Sequence, residues 1–343
     1  MHFGDIDKIY AGTDSVSKVF LGTDLIWPYT PPTPVSGDYL TMQIVSGGTI
    51  NWYASDSAHT KTISYSINGG PWTYITSSTG GTSFNVNSGD TVLFKGINNS
   101  YSYYASHNPR WLNAFYQSTA SFNLSGNILS LIYGDNFVGR TTVPNDYALE
   151  RLFAETKVLD AVGLKLPPVT TQDCYFEMFD YCTALRTAPE LPATTLVDRC
   201  YARMFHNCVS LETAPALPAT TLAYSCYYDM FNYCTALRTA PALPATTLAY
   251  SCYEGMFNYC TALRTAPALP ATTLVNRCYM HLFYNCGRLN RITCLATNIQ
   301  DSDATSYWVT GVASSGTFVK DANMTGWTTG DNGIPEGWTV QDA

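Results

Sequence analysis

Charged residues are scarce in this sequence of 343 residues, since they make up 13% of the chain. The 18 basic residues are outnumbered by 26 acidic ones and form no run, so the sequence lacks the basic footprint of a nucleic-acid-binding protein. Hydrophobic residues reach 46%, which is too apolar for a disordered chain. The length and this composition predict two or three packed domains.

Long apolar runs are also missing. No stretch approaches about 18 consecutive apolar residues, so we expect no membrane span. The first eight residues, Met1 to Lys8, do not show a basic segment followed by an apolar one, so no cleaved secretion signal is expected. The sequence therefore predicts a protein that is cytosolic or exported by another route, such as release within a phage particle.

Motifs that carry catalysis are absent as well. The chain has no Gly-x-Ser-x-Gly elbow, no phosphate-binding loop, no dinucleotide fingerprint and no His-Glu-x-x-His pair. We therefore predict no enzyme activity, no cofactor and no metal site.

A 26-residue repeat dominates the second half of the chain. The copies at 217–242 and 243–268 differ only at Tyr228/Glu254 and Asp229/Gly255. A fixed period of this length is typical of a solenoid, in which each unit buries its apolar face against the next. Two cysteine series keep the period, at Cys174, Cys200, Cys226, Cys252 and Cys278, and at Cys182, Cys208, Cys234, Cys260 and Cys286.

The apolar positions within one repeat predict an α-helix followed by a short strand. Counted from Cys226 they fall at 0, +1, +4, +5, +8 and +11, which we interpret as one helical face. Leu237 to Ala240 then predict a strand that Pro241 ends. Cysteines eight apart on a helix are about 12 Å apart, too far for a disulfide. We expect a ladder of buried thiols, with disulfides between repeats as an alternative.

The N-terminal segment, residues 1–27, contains a ten-residue near-duplicate. Each copy is a short β-branched and aromatic run that ends in a Gly turn, so it predicts two strands, with a third at Leu25 to Trp27. So few strands are marginal alone, and we expect the segment to dock on another chain. Its candidate anchoring residues are Ile9, Tyr10, Val19, Phe20 and Trp27.

Residues 28–36 contain four prolines and predict a stiff linker. Residues 37–145 then show short alternating runs that predict a β-sandwich of immunoglobulin type. A hairpin is expected from Thr62–Ile67 to Trp72–Ile75, and further strands at Asp90–Lys95 and Ile128–Tyr133.

Aromatic residues are the best binding candidates in the β-sandwich. Core packing or cross-strand pairing is the alternative for most of them, but Tyr101 to Tyr104 occupy a Ser/Asn-rich loop that is typical of adaptable contact loops. The candidates are Trp72, Tyr101, Tyr103, Tyr104 and Trp111.

One pair of positions varies among the repeats while its surroundings stay nearly constant. We interpret the pair as exposed, so it is either neutral drift or a recognition strip, whose candidates are Tyr228, Asp229 and Glu254. His206 and His281 occupy polar, non-equivalent positions, and we expect both at the surface.

The phrase Cys-Tyr-x-x-Met-Phe-x-x-Cys-x-x-Leu, followed by Leu-Pro-Ala-Thr-Thr-Leu, resembles BspA-like leucine-rich repeats of gut Bacteroidales and their crAss-like phages. The resemblance covers 147–294 in phase, and the stretch from Gly316 to Trp338 resembles the family's usual end cap. It implies adhesion or surface binding without catalysis. The N-terminal duplicate resembles anchoring segments of phage structural proteins.

Together these features predict a multidomain chain. Its parts are a β anchor segment at 1–27, a linker at 28–36, an all-β sandwich at 37–145, an α/β leucine-rich-repeat solenoid at 146–296 and a C-terminal cap at 297–343. The expected function is that of a phage virion protein, a head or tail fibre or decoration protein, and a bacterial surface adhesin is the alternative. A glycan-active enzyme is a third possibility and would need a paired-carboxylate cleft in the β-sandwich.

The expected partners follow from these modules. Other virion proteins would bind residues 1–27, and a host surface protein or glycan would bind the solenoid or the β-sandwich. No nucleic acid is expected, and the chain could form a homo-oligomer.

Overall fold

The computed structural model describes residues 39–103 and 111–343, with the backbone of four short strands within 9–27. Residues 1–35 and 36–343 form two separate compact units. The strands are β1 Ile9–Ala11, β2 Asp14–Val16, β3 Val19–Leu21, β4 Asp24–Trp27, β5 Leu40–Ser46, β6 Gly48–Ala54, β7 Thr62–Ile67, β8 Thr73–Thr76, β9 Thr82–Val86, β10 Thr91–Lys95, β11 Ser102–Tyr103, β12 Trp111–Ala114, β13 Ser121–Asn127, β14 Lys157–Lys165, β15 Thr265–Leu269, β16 Thr273–Leu274, β17 Arg291–Cys294, β18 Asn298–Ile299, β19 Thr317–Lys320 and β20 Thr339–Asp342. The helices are α1 Ser130–Tyr133 and the 3-10 turns Ser57–His59, Gly134–Asn136 and Ser302–Thr305.

The first unit contains two antiparallel hairpins. Strand β1 pairs with β2, and β3 pairs with β4. The expectation of two strands and a third is therefore corrected, because the stretch after each Gly turn is also extended and closes a hairpin. The side chains of Ile9, Tyr10, Val19, Phe20 and Trp27 lie outside the described residues, so their anchoring role stays a prediction.

The second unit begins with two facing sheets, here called the two-sheet module. One sheet has the order β14-β13-β5-β10-β7-β8 and the other β11-β12-β6-β9. The β7–β8 hairpin is confirmed, with Ile63 opposite Ile75. The sheets meet across aromatic rings, as where Tyr65 of β7 stacks on Phe84 of β9 with 3.8 Å between ring centroids.

The strand predicted at Ile128–Tyr133 is wrong. Strand β13 ends at Asn127, and α1 follows. Ile128, Leu129, Leu131 and Ile132 are all buried. A short apolar run that is buried on every side carries no period, so its composition suits a buried helical turn as well as a strand.

Beyond the two-sheet module the chain forms the repeat stack, defined as residues 145–343. Its parallel ladder starts at β14, which pairs with β13 of the module, and Asp160 bridges to Thr187. Single bridges continue the ladder through Thr213 and Thr239, and the strands β15, β17, β19 and β20 complete it. The strand predicted at Leu237–Ala240 is thus one bridge at Thr239, while in the next copy β15 runs across Pro267 with a register shift.

The helix predicted in each repeat is wrong. The stretch from Ala223 to Cys234 is a run of turns, and α1 is the one α-helix in the described residues. Every fourth residue has a positive φ, as at Ser225 (49°), Asp229 (51°) and Tyr233 (61°). The equivalent stretches of all copies are here called the turn wall; they lie at 145–156, 171–182, 197–208, 223–234, 249–260 and 275–286.

Backbone hydrogen bonds in the turn wall alternate between two kinds of partner. Cys226 N donates to Ala223 O within its own turn, at 3.4 Å, whereas Tyr227 N donates to Cys252 O of the next copy, at 3.1 Å. Each set of turns is therefore also a ladder between copies, so these backbone donors are paired although no helix forms. Strain from positive φ costs about 1 kcal/mol or more per residue, and the regular ladder offsets it.

The interior of the stack consists of aromatic and thiol rows. Phe205 stacks on Phe231 at 5.7 Å, and the same row runs from Phe153 to Phe283. At its start, Phe115 of the module stacks on Phe153 at 5.6 Å. The cores of the module and the stack are thus continuous.

Candidate binding surface on the turn wall

The turn wall sends two side chains inward and two outward in every four residues. Cys226 and Tyr227 point inward and are fully or nearly fully buried, whereas Tyr228 and Asp229 lie at the outer face and are half-buried. Since the copies follow one another at a fixed period, each outward position becomes a column along the stack. The outer face is therefore a set of parallel columns of chemically related side chains.

Two of these columns are exposed tyrosine pairs. Tyr224 and Tyr250 stack with 5.4 Å between centroids and are 48% and 40% exposed. Tyr233 and Tyr259, nine positions further along each copy, stack at 4.4 Å. The four residues are here called the tyrosine pairs, and they flank the outer face of two nearly identical copies.

The stacking decides which part of each ring a partner could touch. Both pairs are nearly parallel, with interplanar angles of 10° and 6°. Each ring therefore covers part of one face of its neighbour, and the rest of its surface is left to a partner. Ring edges carry positive partial charge and the hydroxyl donates and accepts hydrogen bonds, so this surface suits partners with exposed oxygen atoms.

A column of alternating charge lies between the tyrosine positions. Arg151, Glu177, Arg203 and Asp229 occupy the same position in successive copies. Arg151 forms an ion pair with Glu177, and Arg203 Nη1 lies 3.2 Å from Glu177 Oε1. Glu177 is buried, so these pairs are shielded from solvent more than ordinary surface pairs.

Asp229 ends this column. Burial raises the pKa of Asp229 to about 6, while Arg203 and His206 act to lower it. The next copy has Gly255 at this position, and a Cβ there would overlap Asp229 Oδ1. The Asp229 carboxyl group thus occupies the space that a side chain at 255 would need.

The variable pair predicted to be exposed is largely buried. Phe176, Glu177 and Ala202 are buried, and Glu254 is 6% exposed. Glu254 accepts a hydrogen bond from Ser251 Oγ at 2.6 Å, and its Oε1 lies 2.7 Å from Arg277 Nη2. Of the other members of the pair, Tyr228 and Asp229 are half-buried. The expectation of exposure is therefore wrong, because the positive-φ turns fold these side chains along the wall, where they pair between copies.

His206 was expected at the surface, but it is buried. His206 is 7% exposed, and its Nδ1 lies 2.7 Å from Asp180 Oδ1. His281 is half-buried, and burial lowers its pKa. The polar residues near His206 in the sequence therefore belong to a buried network of charged groups and not to the surface.

Among the aromatic binding candidates in the two-sheet module, the prediction for Tyr101 is wrong. It is fully buried, and its hydroxyl donates to Leu131 O at 2.5 Å. Trp72 is half-buried, with Lys95 Nζ 4.4 Å from its ring centroid and Tyr39 edge-on at 5.3 Å. Tyr103 and Trp111 have described backbones in β11 and β12, but their side chains and all of Tyr104 lie outside the described residues.

Both cysteine series are buried as free thiols. In the second series each thiol donates to the carbonyl of a phenylalanine in the preceding copy, as Cys234 Sγ does to Phe205 O at 3.2 Å. Burial raises the pKa of Cys182 and of Cys286 to about 12. Such thiols hold almost no thiolate at neutral pH, so they act as small packing groups.

Among the residues that the structure describes, no group of three or more His, Cys, Asp and Glu is placed to hold a metal ion. Within the same residues, no helix combines the length and apolar character needed to cross a membrane.

Sequence reasoning missed the tyrosine pairs and the charge column. Both obey the repeat period, so the signal was in the sequence. It was overlooked because the helix interpretation assigned the wrong residues to the outer face.

The chain was compared with known proteins. No protein-family model matches it, and neither a curated protein nor a solved structure is similar to it.

Proposed function

We propose that this chain is a non-catalytic binding protein of a phage virion, in which the repeat stack presents the turn wall to a host surface. The observation that supports this best is the two tyrosine pairs. Tyrosine is enriched in adaptable contact surfaces, and Tyr224 and Tyr250 are 48% and 40% exposed. The resemblance to BspA-like repeats supports the same role.

The N-terminal unit supplies the attachment in this proposal. It is a separate compact unit of small hairpins. Small two-stranded hairpins are marginal alone, so residues 1–27 gain stability by pairing with other virion proteins. A homo-oligomer would meet the same need.

The experiment has two arms. Mass spectrometry of purified virions from the source phage is expected to detect the chain, and its absence there would contradict the virion role. The alternative, a bacterial surface adhesin, predicts the chain in the envelope fraction of uninfected cells.

The second arm measures binding of the purified chain to host cells. We expect the double variant Tyr224→Ala/Tyr250→Ala to lose at least about tenfold in affinity, because exposed tyrosines are common hot spots. Tyr74→Ala is the control, since Tyr74 is 72% exposed on β8 of the two-sheet module, outside the turn wall. Equal binding by the wild type and the double variant would contradict the proposed surface.

A further inference from the structure

A cleft of about 300 Å³ lies where the two-sheet module meets the first copy of the repeat stack. Among the described residues, Tyr53 of β6, Ser102 of β11 and Tyr116 after β12 line the cleft on the side of the module. Glu150 and Arg151, from the first stretch of the turn wall, line it on the side of the stack. This volume is at the lower end of the range for small-ligand sites, about 300–1,000 Å³. It suits a ligand of one or two sugar rings.

Two aromatic rings form one side of the cleft. Tyr53 and Tyr116 are half-buried, with centroids 5.3 Å apart and planes tilted by 47°. Unlike the near-parallel tyrosine pairs of the turn wall, these two rings do not stack face to face. Burial, together with the nearby carboxylate of Glu155, raises the pKa of Tyr116.

A buried carboxylate lies at the floor of the cleft. Glu150 is 1% exposed, and its Oε2 accepts a hydrogen bond from Ser102 Oγ at 2.7 Å. A carboxylate can accept several hydrogen bonds at once. Since Ser102 belongs to the module and Glu150 to the stack, this bond ties the two sides of the cleft together.

Arg151 supplies fixed donors beside that acceptor. Its guanidinium group is held by an ion pair with Glu177 and lies 3.7 Å from Asp180 Oδ2 and 3.5 Å from Glu155 Oε1. These pairs fix its orientation, and its side chain is still 25% exposed. Donors and acceptors thus adjoin the ring faces.

We infer that this cleft binds a neutral saccharide, with one apolar ring face of the sugar on Tyr53 or Tyr116 and its hydroxyl groups on Glu150 and Arg151. A sugar hydroxyl both donates and accepts, so it matches a carboxylate and a guanidinium group in one site. Because Arg151 is already ion-paired with Glu177, an anionic ligand would face the Glu150 carboxylate without a free cation beside it. The quaternary ammonium group of choline has no N–H to donate to Glu150. The inference rests on the proposed binding function and names a glycan as the partner.

The test is calorimetric titration of the full chain with methyl glycosides of galactose, glucose, mannose and N-acetylglucosamine at millimolar concentrations. N-acetylneuraminic acid and choline serve as charged probes. We expect at least one neutral glycoside to bind, and to bind more tightly than either charged probe. Glu150→Gln should weaken that binding about tenfold or more, because a neutral amide replaces the charged acceptor. Tyr116→Phe keeps the aromatic ring and should retain the binding.

Two controls separate the cleft from other effects. Tyr74→Ala removes an exposed tyrosine of β8 that lies outside both the cleft lining and the turn wall, and it should leave glycoside affinity unchanged. Protection of residues 112–116 and 148–151 from hydrogen exchange should rise with the bound glycoside, which locates the site even if Glu150→Gln folds poorly. The inference is overturned if no neutral glycoside binds, if choline or N-acetylneuraminic acid binds more tightly, or if the protection appears elsewhere.

The cleft and the proposed function can fail independently. Host-cell binding through the tyrosine pairs without glycoside binding would contradict the saccharide site in the cleft and leave the proposed function intact. Glycoside binding by a chain that is missing from virions would remove the virion role alone.

Discussion

The two-sheet module and the repeat stack build similar aromatic cores from different kinds of contact. In the module, β10 lies between β5 and β7, so neighbouring strands come from distant parts of the sequence. In the stack, each phenylalanine of the central row contacts its counterpart in the next copy, and each thiol of the second series bonds to the preceding copy. From this difference we expect the module to unfold cooperatively and each copy of the stack to depend mainly on its neighbours.

The largest expected effect on stability comes from the row of phenylalanines in the interior of the repeat stack. Phe231→Ala should lower the free energy of unfolding by about 3–5 kcal/mol, because the residue is fully buried between two rings. Phe94→Ala in the module should cost a similar amount. Urea unfolding measures both losses.

Hydrogen exchange distinguishes the two variants. Phe231→Ala should speed exchange chiefly in the copies that contain Phe205 and Phe257, whereas Phe94→Ala should affect strands throughout the module. Tyr233→Ala, at the outer face of the same turn wall, is the control. If Phe231→Ala speeds exchange throughout the repeat stack as Phe94→Ala does throughout the module, the contrast between the two regions is wrong.

A smaller effect is expected from the charge column. Arg203→Met removes the partner 3.2 Å from the buried Glu177, and we expect a loss of about 1–3 kcal/mol because Arg151 still pairs with Glu177. Arg238→Met is the matched control, since its pair with Glu212 is 3.8 Å long and mostly exposed. Exposed pairs contribute about 0–1 kcal/mol. Equal losses in the two variants would show that burial on the turn wall does not strengthen its ion pairs.

The pH dependence of stability probes Asp229. Its pKa is about 6 in the folded protein, above the ordinary value of 3.8, so the folded state holds this proton more tightly than the unfolded chain does. The stability that Asp229 contributes is therefore complete below pH 3.8 and is lost as the pH rises towards about 6.

Asp229→Asn removes this titration. Relative to the wild type it should gain about 1–2 kcal/mol between pH 4 and pH 6, and the gain should level off about one pH unit above the folded pKa. Chemical unfolding across that range measures the difference. A constant difference between the two proteins would contradict the burial of this carboxyl group.

Much of the stack could be predicted from the period alone. A strict repeat aligns Cys226, Tyr227, Met230 and Phe231 with their counterparts, since a side chain that packs inside one copy must pack inside the next. The turn wall could not be predicted so easily. At about 100° per residue a helix places position +8 about 80° away from position 0, which is within one helical face, so spacings of four fit a helix and a run of turns equally.

The candidate sites differ in the same way. The tyrosine pairs and the column from Arg151 to Asp229 follow the period of the repeat, so their alignment was predictable once the stack was assumed. The cleft is different, because Tyr53, Tyr116 and Glu150 come from elements with no common period. Only the folded arrangement of the module against the first copy brings them together.

The most direct test of the account is Gly255→Ala, because the two interpretations of the repeat predict opposite signs. Gly255 has a φ of 64°, and its Cβ position is already occupied by Asp229 Oδ1. The turn wall therefore predicts that Gly255→Ala lowers the free energy of unfolding by about 1–2 kcal/mol. A gain of about 1 kcal/mol, the usual result of replacing glycine by alanine within a helix, would contradict the turn wall.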